Sequence, residues 1–326
     1  MSILVVGGAG YIGSHAAKYL SEKGRRVVVL DNLSTGHRDA IGDFPFYEVD
    51  LRDLDAVEAV LRKEKITAVM HFAAKSLVGE SVAMPLEYYD NNTVGMLRLL
   101  EAMRRLEINN IIFSSTAAVY GEVEKMPITE DVPCRPKSPY GSSKLMMEEM
   151  MQAFDQAYGM RYVALRYFNA AGAAKDGSLG ERHSPETHLI PIILDTALGR
   201  REKIEIFGSD YPTPDGTCIR DYIHVEDLIS AHLLALERLE QGGDSAIYNL
   251  ASQSGFSNLE VLAAAREVTG AEIPHVMGER RAGDPAVLIA DNRKAIAELG
   301  WELKHNDIHE IIGDAWNFHK KFFGQD

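Results

Sequence analysis

Tyr140 and Lys144 stand four residues apart in the segment Ser138-Pro139-Tyr140-Gly141-Ser142-Ser143-Lys144. At that spacing on a helix both side chains project from one face. An ammonium beside a phenol favours the phenolate, which turns a tyrosine into a usable base near neutral pH. In a chain with 13 tyrosines such a pair is cheap, so its setting must supply the specificity. The pair follows an apolar run that ends in Ser114-Ser115-Thr116. Those hydroxyls would emerge at the carboxyl edge of a parallel sheet, where ligands of such sheets bind, or else would only satisfy backbone at the strand end.

A second constellation opens the chain. The apolar run from Ile3 passes into Gly7-Gly8-Ala9-Gly10-Tyr11-Ile12-Gly13 and then into a helical pattern. Glycines at 7, 10 and 13 permit a tight turn, close approach of backbone to a pyrophosphate, and close packing of helix on strand. The next apolar run ends at Asp31, about 20 residues on, where a carboxylate can bind ribose hydroxyls. That acid would repel a 2′-phosphate, so the expected cofactor is NAD rather than NADP.

Positioning these groups requires a particular order of elements. The runs ILVV, VVVL, FYEV, AVMHF, NIIFSS and YVALR alternate, as far as Arg166, with helical spacing over 11–22, 54–62, 86–104 and 139–158. This rhythm predicts an α/β fold with a doubly wound parallel sheet. Beyond Arg166, glycine- and proline-rich stretches at 169–181 and 208–216 separate shorter elements such as 203–207 and 257–269, which predicts a smaller, loop-rich α/β lobe. The expected division is 1–169 for the dinucleotide and 170–326 for the second lobe. Within 219–252, a helix over 227–239 and a strand over 246–250 are expected to return in part to the main sheet.

Composition removes whole classes of function. The 326 residues are 46% hydrophobic and 25% charged, an ordinary globular balance. No stretch approaches the roughly 20 consecutive apolar residues of a membrane span, and the chain enters a strand at Ile3 without a charged leader. With Cys134 and Cys218 far apart, neither a disulfide framework nor a paired-cysteine metal site is expected. A cytoplasmic protein without a metal is the reading. The net charge of −14 would repel a polyanion, which excludes nucleic acid as a partner and requires local arginines for any anionic small ligand.

The glycine spacing resembles that of the extended short-chain dehydrogenase/reductases. That resemblance implies that Asp50, followed by Leu51, holds the adenine amino group, and that Phe72, Ala73, Ala74 and Asn91 line the cofactor. Read from the residues alone, Asp50 serves equally well as a helix cap with Asp53. Longer segments resemble the UDP-glucose 4-epimerase family: GGAGYIGSH at 7–15, VGES at 78–81, PLEYYDNN at 85–92, SPYGSSK at 138–144, LRYFNAAGA at 165–173 and RDYIHVEDL at 220–228. They span nearly the whole chain. Where many members carry a serine against the sugar's reacting oxygen, this chain has Thr116, which keeps the hydroxyl and adds a methyl. Some relatives place a cofactor lysine one position later than Lys75, so Lys75 is given no such role.

The resemblance implies a catalytic set of Tyr140, Lys144 and Thr116. It implies cofactor contacts at Gly7, Gly10, Tyr11, Ile12, Gly13, Asp31, Asn32, Asp50, Leu51, Phe72, Ala73, Ala74, Asn91, Ser114, Tyr140, Lys144 and Phe168. A UDP-hexose would be held by Thr116, Tyr140, Asn169, Leu189, Phe207, Arg220, Tyr222, Arg281, Asp284 and Leu288, with the two arginines pairing the diphosphate. The implied reaction is epimerisation at C4 of UDP-glucose and UDP-galactose through a transient 4-keto sugar. Position 288 matches the place where members restricted to plain hexoses carry tyrosine, so Leu288 implies room for N-acetylated sugars. The family is commonly a homodimer through helices like 86–104 and 140–158. Methionines at 146, 147, 150 and 151 would suit such an interface, although methionine at helical spacing is more often core.

Rival readings are a 4-epimerase of UDP-glucuronate or a UDP-pentose, a nucleotide-sugar 4,6-dehydratase, and a non-catalytic NAD sensor. Dehydratase relatives carry an Asp-Glu pair directly after the threonine, whereas Ala117-Ala118 follows Thr116. A sensor has no need of Thr116, Tyr140 and Lys144 together.

Overall fold

A computed structural model describes residues 1–281 and 284–324. Ser2–Val6 (β1) is buried along its whole length because its alternate side chains enter two different cores. Ile3 and Val5 face one side and Leu4 and Val6 the other, as a parallel strand covered on both faces must. Tyr11–Glu22 (α1) follows, then Arg26–Asp31 (β2), Phe46–Glu48 (β3), Leu54–Lys63 (α2) and Ala68–His71 (β4). Val78–Ala83 (α3), Pro85–Tyr88 (α4) and Gly95–Arg105 (α5) lead to Asn110–Ser114 (β5), Pro139–Tyr158 (α6) and Arg161–Arg166 (β6).

The chain continues with Asn169–Ala171 (β7), Leu189–Ala197 (α7), Ile204–Phe207 (β8), Ile219–His224 (β9), Val225–Glu240 (α8) and Ala246–Asn249 (β10). Gly255–Ser257 (β11), Asn258–Thr269 (α9), His275–Gly278 (β12), Val287–Leu288 (β13), Arg293–Leu299 (α10) and Ile308–Phe323 (α11) complete the described elements. Seven strands form one sheet in the order β10-β6-β5-β4-β1-β2-β3, and every pairing in it is parallel. The doubly wound α/β architecture read from the sequence is the one observed. Strand order reverses between β1 and β4, and at such a switch point the crevice beyond the carboxyl ends is open to a ligand. Gly7 and Phe72 are the residues that leave those two strands.

A smaller layer lies beside this sheet. Strands β7, β9, β11 and β13 pair together, β8 pairs with β12, and helices α7, α9 and α11 bury Ile190, Ile193, Val261, Ile311 and Ile312 in a third core. The β13–β9 pairing sets Leu288 against Arg220.

One expected helix is refined. The span 86–104 is helical throughout, but Tyr89–Val94 forms a π-helical turn between α4 and α5. The widened turn aims the Asn92 amide inward, where it accepts from the Lys75 N–H at 2.9 Å, donates to the Lys75 carbonyl at 3.1 Å and donates to the Ser143 hydroxyl at 3.0 Å. A π-bulge of this kind is common beside functional sites. The methionines also divide: Met147 and Met151 are core, Met150 packs against that core, and Met146 is exposed.

Candidate active site

The glycine turn is a cradle with no room to spare. Gly7 has φ +78°, and a side chain there would meet the Ala73 backbone at 2.5 Å; one on Gly13 would meet the Gly7 carbonyl at 2.1 Å. Helix α1 is thereby pressed onto its strand with Gly10 as its N-cap, and the N–H groups of its first turn have no intrahelical partner. A groove in front of them is lined by Gly7, Gly10, Asp31, Asn32, Asp50, Leu51, Phe72, Ala73, Ala74 and Asn91, with Ser34, Thr35 and Val49. The last three were not anticipated, although two hydroxyl residues just after Asp31-Asn32 were a readable signal.

Asp31 accepts from the Ala9 N–H at 2.9 Å and the Leu33 N–H at 2.8 Å, so it braces the glycine turn as well as facing the groove. Burial pushes its carboxyl above the ordinary range, and those two bonds oppose the rise. Asp50 is not the helix cap; Asp53 caps α2, accepting from the Ala56 N–H at 3.1 Å. Asp50 instead takes two bonds of 2.8 Å from the Arg52 guanidinium and one of 3.0 Å from the Asn32 amide. The guanidinium holds it well below the usual carboxylate range. A pyrophosphate on the helix N-terminus, with ribose and adenine toward Asp31 and Asp50, fits this donor and acceptor set.

Helix α6 begins where the chemistry needs it. Ser138 caps it, accepting from the Gly141 N–H at 3.2 Å, and Pro139 occupies the first turn. A side chain at Gly141 would meet the Ala118 carbonyl at 2.7 Å, so its absence lets that turn rest on the loop after Thr116. Tyr140 is thus brought near Thr116: burial raises its phenol, and the neighbouring Thr116 hydroxyl opposes the rise. The Thr116 oxygen also accepts from the Ala118 N–H at 3.1 Å.

Lys144 differs from the expectation. Lys144 is 3% exposed; its ammonium donates to the Ser114 carbonyl at 2.8 Å rather than to the phenol, and burial lowers its pKa to about 7. The Ser114 hydroxyl donates to His232 Nε2 at 2.8 Å, since His232 Nδ1 is committed to the Leu228 carbonyl. Ser114 therefore positions Lys144 with its carbonyl and keeps its hydroxyl out of the groove. One turn beyond Lys144, Glu148 binds Ser115 and is held by Arg166 in an ion pair buried at both ends. Lys75 is paired with Glu87. Neither Glu148 nor Arg166 was anticipated.

In the smaller lobe the Arg281 guanidinium stacks over the Phe207 ring at 4.0 Å. Arg220 donates to Asp284 at 2.6 Å and to the Pro285 carbonyl at 2.9 Å, so Asp284 braces Arg220. Asn169 donates to the Asp221 carbonyl at 2.9 Å, Tyr222 is buried beside it on β9, and Leu189 opens α7. Tyr11 joins the two layers by donating from its hydroxyl to the Gly172 carbonyl at 2.7 Å. Phe168 and Leu288 pack together against Ala117, Val119, Tyr120 and Ile128, directly beyond Thr116.

Fold and site together define a nucleotide-dependent α/β enzyme with a tyrosine–lysine pair. Residues 3–251 match the NAD dependent epimerase/dehydratase family. The UDP-glucose 4-epimerase of Lacticaseibacillus casei is 56% identical over 98% of this chain and 97% of its own. The crystal structure of UDP-glucose 4-epimerase from Brucella ovis in complex with NAD is 48% identical, with a TM-score of 0.95 over 97% of this chain and 98% of that one. The UDP-Glc/GlcNAc 4-epimerase of Campylobacter jejuni is 44% identical, with a TM-score of 0.86 over 98% and 99% of the two chains. The chain belongs to the NAD-dependent epimerase/dehydratase family and, within it, to the UDP-glucose 4-epimerases.

Proposed function

We propose that this chain interconverts UDP-glucose and UDP-galactose by oxidation and re-reduction at C4, and that Thr116, Tyr140 and Lys144 carry the chemistry. The observation that supports it best is the seating of Gly141 on the Ala118 carbonyl, which sets the first turn of α6, with Tyr140, on the segment that follows Thr116. NAD, when bound, takes the C4 hydride and returns it. Tyr140 removes the proton of the 4-hydroxyl as the C4–H bond breaks, Thr116 donates to the resulting carbonyl oxygen, and Tyr140 gives the proton back. Lys144, anchored on Ser114, holds the cofactor ribose. The 4-keto sugar turns over between the two steps, so a firm grip on UDP by Asn169, Leu189, Phe207, Arg220, Tyr222 and Arg281, with Asp284 bracing Arg220, must coexist with a loose grip on the sugar.

The chain is further proposed to work as a cytoplasmic homodimer, with residues 1–169 and part of 219–252 serving NAD and the rest serving UDP-sugar. Exposed Val94, Leu97, Met146 and Tyr158 on the π turn, α5 and α6 give a second copy an apolar face. Among the described residues both cysteines are free, which suits a reducing compartment, and no helix is long and apolar enough to cross a membrane.

The test is to supply the purified protein with UDP-galactose, add no cofactor, and separate the products. UDP-glucose is expected at equilibrium, with NAD released from the protein by acid. Steady accumulation of NADH, or a 4-keto-6-deoxy product, would overturn the reading.

A further inference from the structure

The segment between β7 and α7 brings two imidazoles and two carboxylates to one point. Glu181, His183, Glu186 and His188 fall within eight residues, and one donor atom from each lies within 4.8 Å of the others. His183 Nδ1 stands 3.3 Å from Glu181 Oε1 and 3.5 Å from Glu186 Oε2, and His188 Nδ1 stands 2.7 Å from Glu181 Oε1 and 3.5 Å from Glu186 Oε1. Zinc bonds of about 2.0–2.2 Å in a tetrahedron set neighbouring ligand atoms about 3.3–3.5 Å apart. The two distances from His183 Nδ1, 3.3 and 3.5 Å, match that edge; the His188–Glu181 distance must open by about 0.6 Å to seat an ion, and His188 faces the other Glu186 oxygen.

Hydrogen bonding explains only part of the convergence. His183 Nδ1 is buried with no hydrogen-bond partner although two carboxylates stand beside it. Glu181 is 7% exposed, and among the described residues its ion-pair partners are these two histidines alone. The Glu186 carboxylate is fixed from behind by the N–H groups of Thr187 at 2.8 Å, His188 at 2.9 Å and His183 at 3.3 Å. Ligands held in place by their surroundings before an ion arrives are what a metal site needs.

We infer that Glu181, His183, Glu186 and His188 bind a divalent transition-metal ion, zinc being the one their two nitrogens and two carboxylates suit best. Four protein ligands make a closed site, which is structural rather than catalytic. Its place says what it holds. His37 bonds the Arg182 carbonyl at 3.0 Å and Arg182 pairs with Asp39, so this segment bridges the dinucleotide layer to the smaller lobe. His188 immediately precedes α7. The ion therefore staples the connection on which the UDP-binding lobe hangs, and it takes no part in the hydride chemistry. Histidine–glutamate spacing was the sequence signal; a search for metal ligands confined to cysteines passes over it.

The test uses zinc chloride alone on the whole, NAD-loaded protein after treatment with EDTA and desalting. Wild type is expected to regain one zinc per chain, measured by mass spectrometry of the element, and its Tm to rise by several degrees. Cobalt(II) should give the intense visible bands of tetrahedral coordination. Glu181→Gln and His183→Ala are each expected to lose at least about 100-fold in zinc affinity, together with the rise in Tm. Glu181 is buried, so His183→Ala, on a half-buried ring, supplies the variant whose fold is checked by NAD content and circular dichroism. Wild type that retains less than about a tenth of an equivalent with no change in Tm overturns the proposal. So does His183→Ala that binds and responds like wild type. Neither result touches the epimerase reading, which rests on other residues.

Discussion

Lys144 Nζ donates to the carbonyl oxygen of Ser114 at 2.8 Å, tying the second turn of α6 to the end of β5. The ammonium also lies over the Phe113 ring at 4.8 Å, so nearly all of its surroundings are protein. Burial is what lowers its pKa to about 7, and Glu148, which opposes the shift, is itself bound to Arg166. In the unfolded chain a lysine titrates near 10.4. Between about pH 7 and that value the unfolded chain therefore holds the extra proton, and stability of the cofactor-free protein rises with pH. Urea midpoints at pH 7 and pH 9.5 should show wild type gaining on the order of 2–3 kcal/mol more than Lys144→Met. Equal pH dependence in the two proteins would place the ammonium in water.

Tyr140→Phe removes the base and little else. Its kcat is expected to fall by about 10²–10⁴ while the affinity for UDP-galactose stays within a few-fold. Thr116→Val loses both the hydroxyl facing the phenol and the acceptor of the Ala118 N–H, and a fall of about 10²–10³ is expected. Thr116→Ser keeps the hydroxyl and its bond from the Ala118 N–H and should stay within about tenfold of wild type. Steady-state kinetics on the three variants separates these roles. A Thr116→Val enzyme close to wild type would remove threonine from the reacting set.

Asp284 touches Arg220 rather than standing free, and this predicts a variant that fails in binding. Asp284→Ala leaves Arg220 with the Ile219 and Pro285 carbonyls but without its carboxylate brace. A loosened arginine makes a poorer bidentate partner for a diphosphate. KM for the UDP-sugar should rise about tenfold with kcat changed less than about threefold. A loss confined to kcat would mean that the pair positions the sugar instead.

The parts legible in the sequence are those where a residue's job is local. Glycines at a strand–helix turn, an acid at the next strand end, hydroxyls after β5 and a capped helix carrying Tyr140 and Lys144 all lie within a few residues of the elements that aim them. The Arg220–Asp284 brace is not local: it joins residues brought together by the β13–β9 pairing, and no periodicity announces it. The π turn was hidden for a different reason. Three- and four-residue apolar spacing does not tell an α turn from a single π turn, so 86–104 reads as one amphipathic helix; the signal available was Asn91-Asn92, poor helix formers in mid-helix. The Glu148–Arg166 pair was invisible because charged residues on a helix and a strand are ordinarily exposed, and both are buried here.

Leu288 supplies the last prediction. It is half-buried on β13, beside Arg220, and packs with Phe168 against the cluster that begins at Ala117, one residue beyond Thr116. We propose that a group projecting from C2 of a sugar turning over near Thr116 sweeps past this wall. A tyrosine at 288 is larger than leucine by a ring edge and a hydroxyl, and forcing that volume into a packed wall costs on the order of 1–3 kcal/mol. The penalty would fall on the bulkier substrate. Wild type is therefore expected to interconvert UDP-N-acetylglucosamine and UDP-N-acetylgalactosamine as well as the plain hexoses, an activity that the name of the 44% identical Campylobacter jejuni enzyme carries for that protein. Leu288→Tyr should lose the N-acetyl activity by about tenfold to 100-fold in kcat/KM while turning over UDP-galactose nearly as before. Competition between the two substrate pairs, run on both proteins, measures the ratio directly. A wild type inert toward both N-acetylated sugars overturns the prediction whatever the variant does, and a variant that loses both activities equally shows that Leu288 supports the wall without selecting what passes it.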